Sequence, residues 1–297
     1  MSSKVGECCI CGSIGGLTFE HVPPRAAFND RRVFEASIEN LFAGQWIPGT
    51  PITKGRYVQR GAGRHSLCQK CNNDTGAWYG TPYVDFTRQA MTLLDRSKGE
   101  LSLAYPYRIF PLRVLKQIVV MFLSACGPGL RKAHPDLVRF ALNRETQFFP
   151  TYIDIWAYLH HPTESTSVRQ AGVAGLINPD GPHVFSEIAF PPFGLIMSLN
   201  GPPLNKELYN LTHFRERPFN AWRAARDARC RMFRRSSAAV ATSKPLMGGN
   251  HCGVSIIFPP ISMTFNFTYQ SNLSPYLWAI IICMSTTTAK QTINGRR

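Results

Sequence analysis

Two pairs of cysteines with the spacing of metal ligands lie near the start of the chain. Cys8 and Cys11 form the first Cys-x-x-Cys pair, and Cys68 and Cys71 form the second. Four thiolates at this spacing are typical of a structural zinc site, which can contribute an apparent ~10–16 kcal/mol to the folding of a small module. Cys9 lies inside the first pair, outside the two-residue spacing, and we expect it to be a bystander. The sequence therefore predicts one structural Zn²⁺ ion.

A carboxylate, an imidazole and an amide accompany the cysteines. Glu20-His21 stands between the two pairs, and Asn72-Asn73 follows Cys71 directly. These groups suit phosphodiester hydrolysis, in which the attacking water has a pKa of about 15.7 and must lose its proton. A neutral imidazole can accept that proton, while a divalent cation stabilises the developing charge. Mg²⁺ prefers oxygen ligands and keeps several waters, so one carboxylate and one amide suffice.

The combined order of these elements resembles a known family. Cys-x-x-Cys, Glu-His-Val-Pro-Pro and Cys-x-x-Cys-Asn, over residues 8–80, are similar to the HNH endonucleases, whose ββα-metal core is often braced by a four-cysteine zinc site. The resemblance implies that His21 is the general base. It also implies that Glu20 and Asn72 bind one catalytic Mg²⁺ or Mn²⁺. Asn73 is the alternative ligand if the helix register differs by one residue.

The chain departs from this family at one position. The family has a middle asparagine, a few residues before the second cysteine pair, that orients the catalytic histidine. Gly61-Ala62-Gly63-Arg64-His65 stands there instead. Three alternatives remain: a backbone carbonyl orients His21, His65 or Arg64 contacts the scissile phosphate, or Asn40 replaces the missing side chain from a distance.

The charge of the chain favours a polyanionic partner. The 297 residues carry a formal net charge of +15 with a pI near 9.7, which points to nucleic acid first, and an anionic membrane surface second. Residues 1–99 hold 12 basic and 8 acidic side chains, so most of the excess lies further on. Residues 215–235 contain eight arginines, and the pattern from 218 onward predicts a helix. The arginines expected to contact nucleic acid are Arg64, Arg223, Arg226 and Arg234.

The cysteine pattern, the first residues and the length of the apolar runs bear on the cellular compartment. The nine cysteines are odd in number, four of them have metal spacing, and the first seven residues have no apolar stretch typical of a signal peptide. The longest apolar run, residues 276–284, is much shorter than the roughly 20 residues that span a bilayer. We therefore expect a cytoplasmic protein without a membrane partner.

The elements that must position these groups follow from the apolar patterns. We expect strands at 17–21 and 56–59, a turn at 61–63, a helix over 68–76, and a helical turn within 33–41. Further helices are predicted at 82–94, 112–125 and 135–144, followed by strands at 152–159, 184–190, 194–199, 254–258 and 262–269. The result is an α+β protein with an HNH nuclease module at 1–99 and an α+β domain at 100–297 for substrate positioning, partner binding or regulation.

Two other functions share these features. A zinc-finger module that binds nucleic acid without catalysis would need the cysteines and the charge but not Glu20, His21 or Asn72. An HNH nuclease acting on RNA would need all of them, although DNA is the substrate we expect. The sequence leaves the oligomeric state open, with a dimer among the alternatives.

Overall fold

The computed structural model contains both helices and antiparallel sheets, which confirms the predicted α+β class. The residues that the structure describes are 4–35, 56–97, 102–104, 107–159, 169–170, 173–178, 181–201, 208–225, 229–231, 254–257, 262–265 and 281–282.

A small sheet followed by a helix forms the N-terminal part. The strands are β1 (Lys4–Glu7), β2 (Ile14–His21) and β5 (Gly63–Cys68), paired antiparallel in the order β1-β2-β5. Helix α1 (Gln69–Thr75) leaves directly from β5 and packs against β2 and β5. The strand predicted at 17–21 and the helix predicted at 68–76 are therefore present, and β2 is longer than predicted. Strand β5 is an element that the sequence did not predict.

Four further helices build the centre of the protein. A π-helical stretch (Gly76–Gly80) joins α1 to α2 (Thr81–Arg96), and then follow α3 (Pro111–Cys126), α4 (Pro128–Ala133) and α5 (Pro135–Leu142). Proline opens α3, α4 and α5 at a position where its missing N–H costs no hydrogen bond. Fifteen of the sixteen residues of α3 are buried, so this helix forms the middle of the hydrophobic core.

A larger antiparallel sheet follows the helices. Its strands are β8 (Ile153–Leu159), β9 (Arg169–Gln170), β10 (Val173–Asn178), β11 (Gly181–Phe190), β12 (Phe193–Leu199), β13 (Tyr209–Asn210) and β18 (Ile281–Ile282). They run in the order β13-β8-β12-β11-β10-β18, with β9 paired to β11. A 3-10 helix (Thr212–Glu216) packs on α3 and β8. Phe86 of α2 stacks on Phe193 of β12 at 4.4 Å, which brings the sheet onto the helices.

Four short strand pairs complete the fold of the described residues, and three of them correct two predictions. The pairs are β3 (Val33–Glu35) with β4 (Arg56–Val58), β6 (Ser102–Ala104) with β15 (Arg229–Arg231), β7 (Tyr107–Ile109) with β14 (Arg223–Ala225), and β16 (Val254–Ile257) with β17 (Ser262–Phe265). The helical turn predicted within 33–41 is wrong in its described part, because 33–35 pair with β4. The helix predicted from 218 onward is also wrong, since β14 and β15 pair with strands distant in sequence and this pairing overrides local helical preference.

The small sheet is joined to the helical centre by side-chain contacts. Ser66 of β5 and Ser124 of α3 share a buried hydroxyl–hydroxyl hydrogen bond of 2.6 Å. Glu7 of β1 binds Arg131 and Lys132 at the end of α4. The boundary predicted between residues 99 and 100 stays a prediction. None of the helices in the described ranges combines the length and the apolar character that crossing a membrane requires.

Candidate functional site

The four predicted cysteines converge on one point between β1, β2 and α1. The Sγ atoms of Cys8, Cys11, Cys68 and Cys71 all lie within 4.8 Å of one another, and those of Cys11 and Cys68 are 3.7 Å apart. A tetrahedral site with Zn–S bonds of about 2.3 Å has S–S edges of about 3.8 Å. The predicted cluster is therefore confirmed, and it could hold a metal ion such as zinc.

The surroundings of the cluster favour a thiolate at Cys8. A hydrogen bond from the Cys71 thiol lowers the pKa of Cys8 to about 4, and the backbone N–H of Cys68, whose nitrogen lies 3.3 Å from the Cys8 sulfur, acts in the same direction. The same hydrogen bond, together with burial, raises the pKa of Cys71. Cys9 is buried outside the cluster, and burial raises the pKa of its thiol to about 11. Cys9 thus stays protonated, as expected of a residue that binds no metal.

Glu20 and His21 end strand β2, where the chain leaves the sheet. Glu20 is paired with Arg64 and His21 with Gly63, and a bulge interrupts the register one residue earlier. A side chain at Gly63 would place its Cβ 2.2 Å from the Glu20 carbonyl oxygen, so only glycine permits this pairing. The close approach of the strands holds both predicted site residues at the end of the sheet.

His21 has a defined tautomer. Its Nε2 lies 2.9 Å from the carbonyl oxygen of Arg60. A carbonyl only accepts hydrogen bonds, so Nε2 carries the proton and Nδ1 of the neutral ring is an acceptor. Burial lowers the pKa of His21 and the nearby Arg25 adds to that effect, against the opposing influence of the Arg60 hydrogen bond. His21 is therefore largely neutral at pH 7, with Nδ1 able to accept a proton.

Glu20 carries a perturbed carboxyl group. Its side chain is partly buried, and this burial raises its pKa to about 7. Without a cation, the group is therefore protonated in about half of the molecules at pH 7. A divalent cation bound there would displace the proton, and its positive charge would stabilise the ionised carboxylate.

Asn72 is oriented by Thr18. The Thr18 hydroxyl donates to the Leu67 carbonyl at 2.9 Å, so it can only accept from Asn72, whose Nδ2 lies 2.9 Å away. The Asn72 amide must present its NH₂ group to Thr18, which leaves its Oδ1 oxygen for another partner. Asn73, the alternative ligand, has an exposed side chain.

Strand alternation divides these groups between two faces of β2. Phe19 and His21 share one face, where the Phe19 ring contacts His21 at 4.9 Å and His65 at 5.4 Å between ring centroids. Thr18 and Glu20 share the other face, and Asn72 of α1 lies against Thr18. Burial, followed by the charge of Lys4, lowers the pKa of His65. The end of β2 thus presents an imidazole on one side and a carboxylate on the other.

The arginines predicted to contact nucleic acid have different surroundings. Arg64 donates a hydrogen bond from its guanidinium group to the Ala125 carbonyl at 2.8 Å, which ties β5 to the end of α3. Arg223 lies in β14, and only its backbone is described. Arg226 and Arg234 lie outside the described residues, as does Asn40.

Sequence reasoning did not single out Asn29, Arg25 or Arg60. Asn29 is fully buried, with its side chain bonded to the backbone on both sides of the His21–Arg60 contact. The sequence signal that could have indicated this contact is the pair of glycines around residue 62, since Gly61 and Gly63 allow two chain segments to approach closely.

No family model, curated protein or solved structure matches this chain.

Proposed function

We propose that this chain is a metal-dependent endonuclease of the HNH type that hydrolyses DNA phosphodiester bonds. The observation that carries the proposal is the 2.9 Å contact between His21 Nε2 and the Arg60 carbonyl, which leaves Nδ1 as a proton acceptor. The cysteine cluster would hold one structural Zn²⁺ ion, which braces the end of β5 and the start of α1. That arrangement keeps Asn72 at a fixed distance from β2.

His21 acts as the general base. A water molecule at Nδ1 transfers a proton to the imidazole as its oxygen attacks phosphorus, and the bond from phosphorus to the leaving oxygen breaks. The leaving oxygen takes a proton from solvent, and the imidazolium returns its proton to solvent. The lowered pKa of His21 supports this role, because the ring must be neutral to begin the cycle.

Glu20 and Asn72 Oδ1 would hold one Mg²⁺ or Mn²⁺ ion. Two oxygen ligands and several waters suit Mg²⁺, and the bound ion supplies charge stabilisation at the phosphate and the leaving oxygen. In an in-line displacement the nucleophile and the leaving group lie on opposite sides of phosphorus. The placement of His21 and Glu20 on opposite faces of β2 fits a scissile phosphate bound at the strand end.

Exposed arginines in the chain segments around His21 and Arg60 support a polyanionic substrate. Exposed arginines occur along the segments that flank the His21–Arg60 contact: Arg25, Arg31, Arg32, Arg56 and Arg60. Arg32 lies 3.6 Å above the exposed ring of Tyr57. Guanidinium groups suit phosphate oxygens, and they supply binding that does not depend on base sequence.

Digestion of plasmid DNA and of labelled RNA by the purified protein tests the proposal. We expect Mg²⁺ or Mn²⁺ to produce nicked or linear plasmid, EDTA to prevent it, and RNA to be cut more slowly. Binding of DNA without cleavage under any divalent ion would refute the nuclease and favour a zinc-finger binding module. Faster cleavage of RNA would keep the chemistry and change the substrate.

A further inference from the structure

Asn29 is a buried polar residue whose side-chain amide is fully engaged with backbone. Its Nδ2 donates to the carbonyl oxygens of Pro23 and Ala62, both at 2.7 Å, and its Oδ1 accepts the Ala62 N–H at 2.6 Å. The residue is inaccessible to solvent. Every one of these partners is a main-chain group, so the amide fixes the path of the chain and is not available to a ligand.

The two segments that Asn29 joins are the two that meet at His21. Pro23 lies two residues after His21, and Ala62 lies two residues after Arg60, whose carbonyl accepts the His21 proton. The Ala62 carbonyl also accepts the Val22 N–H at 3.1 Å. Both segments that form the His21–Arg60 contact are therefore held within two residues after it.

Glycine at position 61 allows the segment that carries Arg60 to approach Asn29 closely. Gly61, between Arg60 and Ala62, has φ of +93°, a conformation that L side chains rarely adopt. A Cβ at this position would lie 2.1 Å from the Asn29 carbonyl oxygen. Glycine at 61 thus permits the segment that carries Arg60 to pass directly over Asn29.

We propose that Asn29 is the positioning residue for His21, acting through the Arg60 carbonyl to keep the proton on Nε2 and the acceptor on Nδ1. This inference rests on the proposed nuclease function, in which Nδ1 accepts the proton of water. If Asn29 is removed, Pro23 and Ala62 lose their shared partner and the Arg60 carbonyl can move away from the ring. The imidazole then samples both tautomers, and the form with a proton on Nδ1 cannot act as the base.

The ¹⁵N and ¹H resonances of the His21 imidazole report the tautomer directly in the full-length, zinc-loaded protein. We expect the wild type to show the Nε2–H form and Asn29→Ala to show a mixture. Thr212→Ala is the matched control, because Thr212 is buried and its hydroxyl bonds Ile155 N and Asp154 away from the site. Thr212→Ala should leave the His21 signals unchanged.

A double-mutant cycle provides the second readout. Loss of geometry at a catalytic group can cost about 100-fold in rate, and we expect that loss for Asn29→Ala in single-turnover cleavage. In a His21→Ala background the same substitution should cost less than about threefold, because Asn29 acts through His21. If the double variant loses rate by the product of the two single losses, Asn29 acts independently of His21. That result would show a purely structural role and overturn the proposal.

A second variant and two defined NMR outcomes complete the test. Asn29→Asp keeps the size of the side chain and the acceptor for Ala62 N–H, so it serves if Asn29→Ala does not fold. A mixed tautomer in the wild type, or an unchanged tautomer in a folded Asn29 variant, refutes the positioning role. The NMR measurement needs no cleavage, so a wild type that shows the Nε2–H form but cuts no DNA would refute the nuclease and not the role of Asn29.

Discussion

The side-chain amide of Asn72 donates to the hydroxyl of Thr18 at 2.9 Å and thereby links α1 to β2. Thr18 lies two residues before Glu20 on the same strand face, so this bond relates the two proposed oxygen ligands of the catalytic cation. Its geometry also fixes which end of the Asn72 amide points away from Thr18.

Thr18→Val should weaken binding of the catalytic cation. The substitution keeps the shape of the side chain but releases the Asn72 amide, and loss of an orienting partner typically costs 10–100-fold in metal affinity. Mn²⁺ titration followed by electron paramagnetic resonance measures the effect. Thr87→Val is the control, because the buried Thr87 hydroxyl bonds the Val84 carbonyl within α2. Equal Mn²⁺ affinities for wild type and Thr18→Val would remove Asn72 from the ligand set.

Binding of the catalytic cation should depend on pH through Glu20. With a pKa of about 7, the carboxyl is mostly protonated at pH 6 and mostly ionised at pH 8. A cation must displace the proton, so Mn²⁺ affinity should rise about tenfold from pH 6 to pH 8. A pH-independent affinity would show that the cation binds elsewhere.

The raised pKa of Glu20 should also appear in the pH dependence of stability when no divalent cation is present. The folded pKa of this carboxyl lies above the ordinary value of 4.5, so the stability that it contributes is complete below pH 4.5 and is lost as the pH rises through 7. Glu20→Gln should therefore be more stable than the wild type at pH 8, by about 3 kcal/mol, and equally stable near pH 4. Urea unfolding in EDTA at the two pH values would show this, provided that zinc is retained.

Removal of one cluster thiol should destabilise the N-terminal part of the protein. Cys68→Ser weakens the zinc site and should release the packing of β2, β5 and α1, since metal binding and folding are coupled in such sites. Zinc content and hydrogen exchange of residues 63–75 measure the loss. Cys9→Ala is the control and should keep one zinc per chain, because Cys9 lies outside the cluster. Loss of zinc from Cys9→Ala alone would contradict the assignment.

Affinity for DNA should depend on the arginines in the chain segments around His21 and Arg60. Each phosphate contact contributes about 0.9 to the slope of log affinity against log salt on duplex DNA. Arg25→Gln with Arg31→Gln should therefore lower that slope by about 2 in cation-free binding assays. Arg88→Gln with Arg96→Gln removes the same charge from exposed positions on α2 and should leave the slope unchanged. Identical slopes for both pairs would place the DNA elsewhere.

Local chemistry allowed much of the site to be predicted from sequence. The x2 spacing of the cysteines, the turn at Gly61 and Gly63, and the helix that begins after Cys68 are short-range features, and the structure has each of them. The proposal that a backbone carbonyl orients His21 agrees with the Arg60 contact. These features depend on few residues and on well-defined backbone geometry.

Long-range pairing could not be predicted in the same way. The arginine-rich segment after residue 218 has helical spacing, but residues 223–225 pair with β7, more than 110 residues earlier. Asn29 gives no periodic signal, because its role depends on segments that meet only in the folded chain. Burial of Glu20, which raises its pKa, also arises from packing that a single sequence does not contain.

The single-turnover rate of plasmid cleavage by His21→Ala tests the central claim most directly. His134→Ala is the matched control, since the His134 ring contacts Tyr152 and has no role in the proposed site. Removal of a general base typically costs about 10²–10⁴-fold, so we expect that loss for His21→Ala with Mn²⁺ affinity retained, and no loss for His134→Ala. Cleavage by His21→Ala at the wild-type rate would contradict the assignment of His21 as the base.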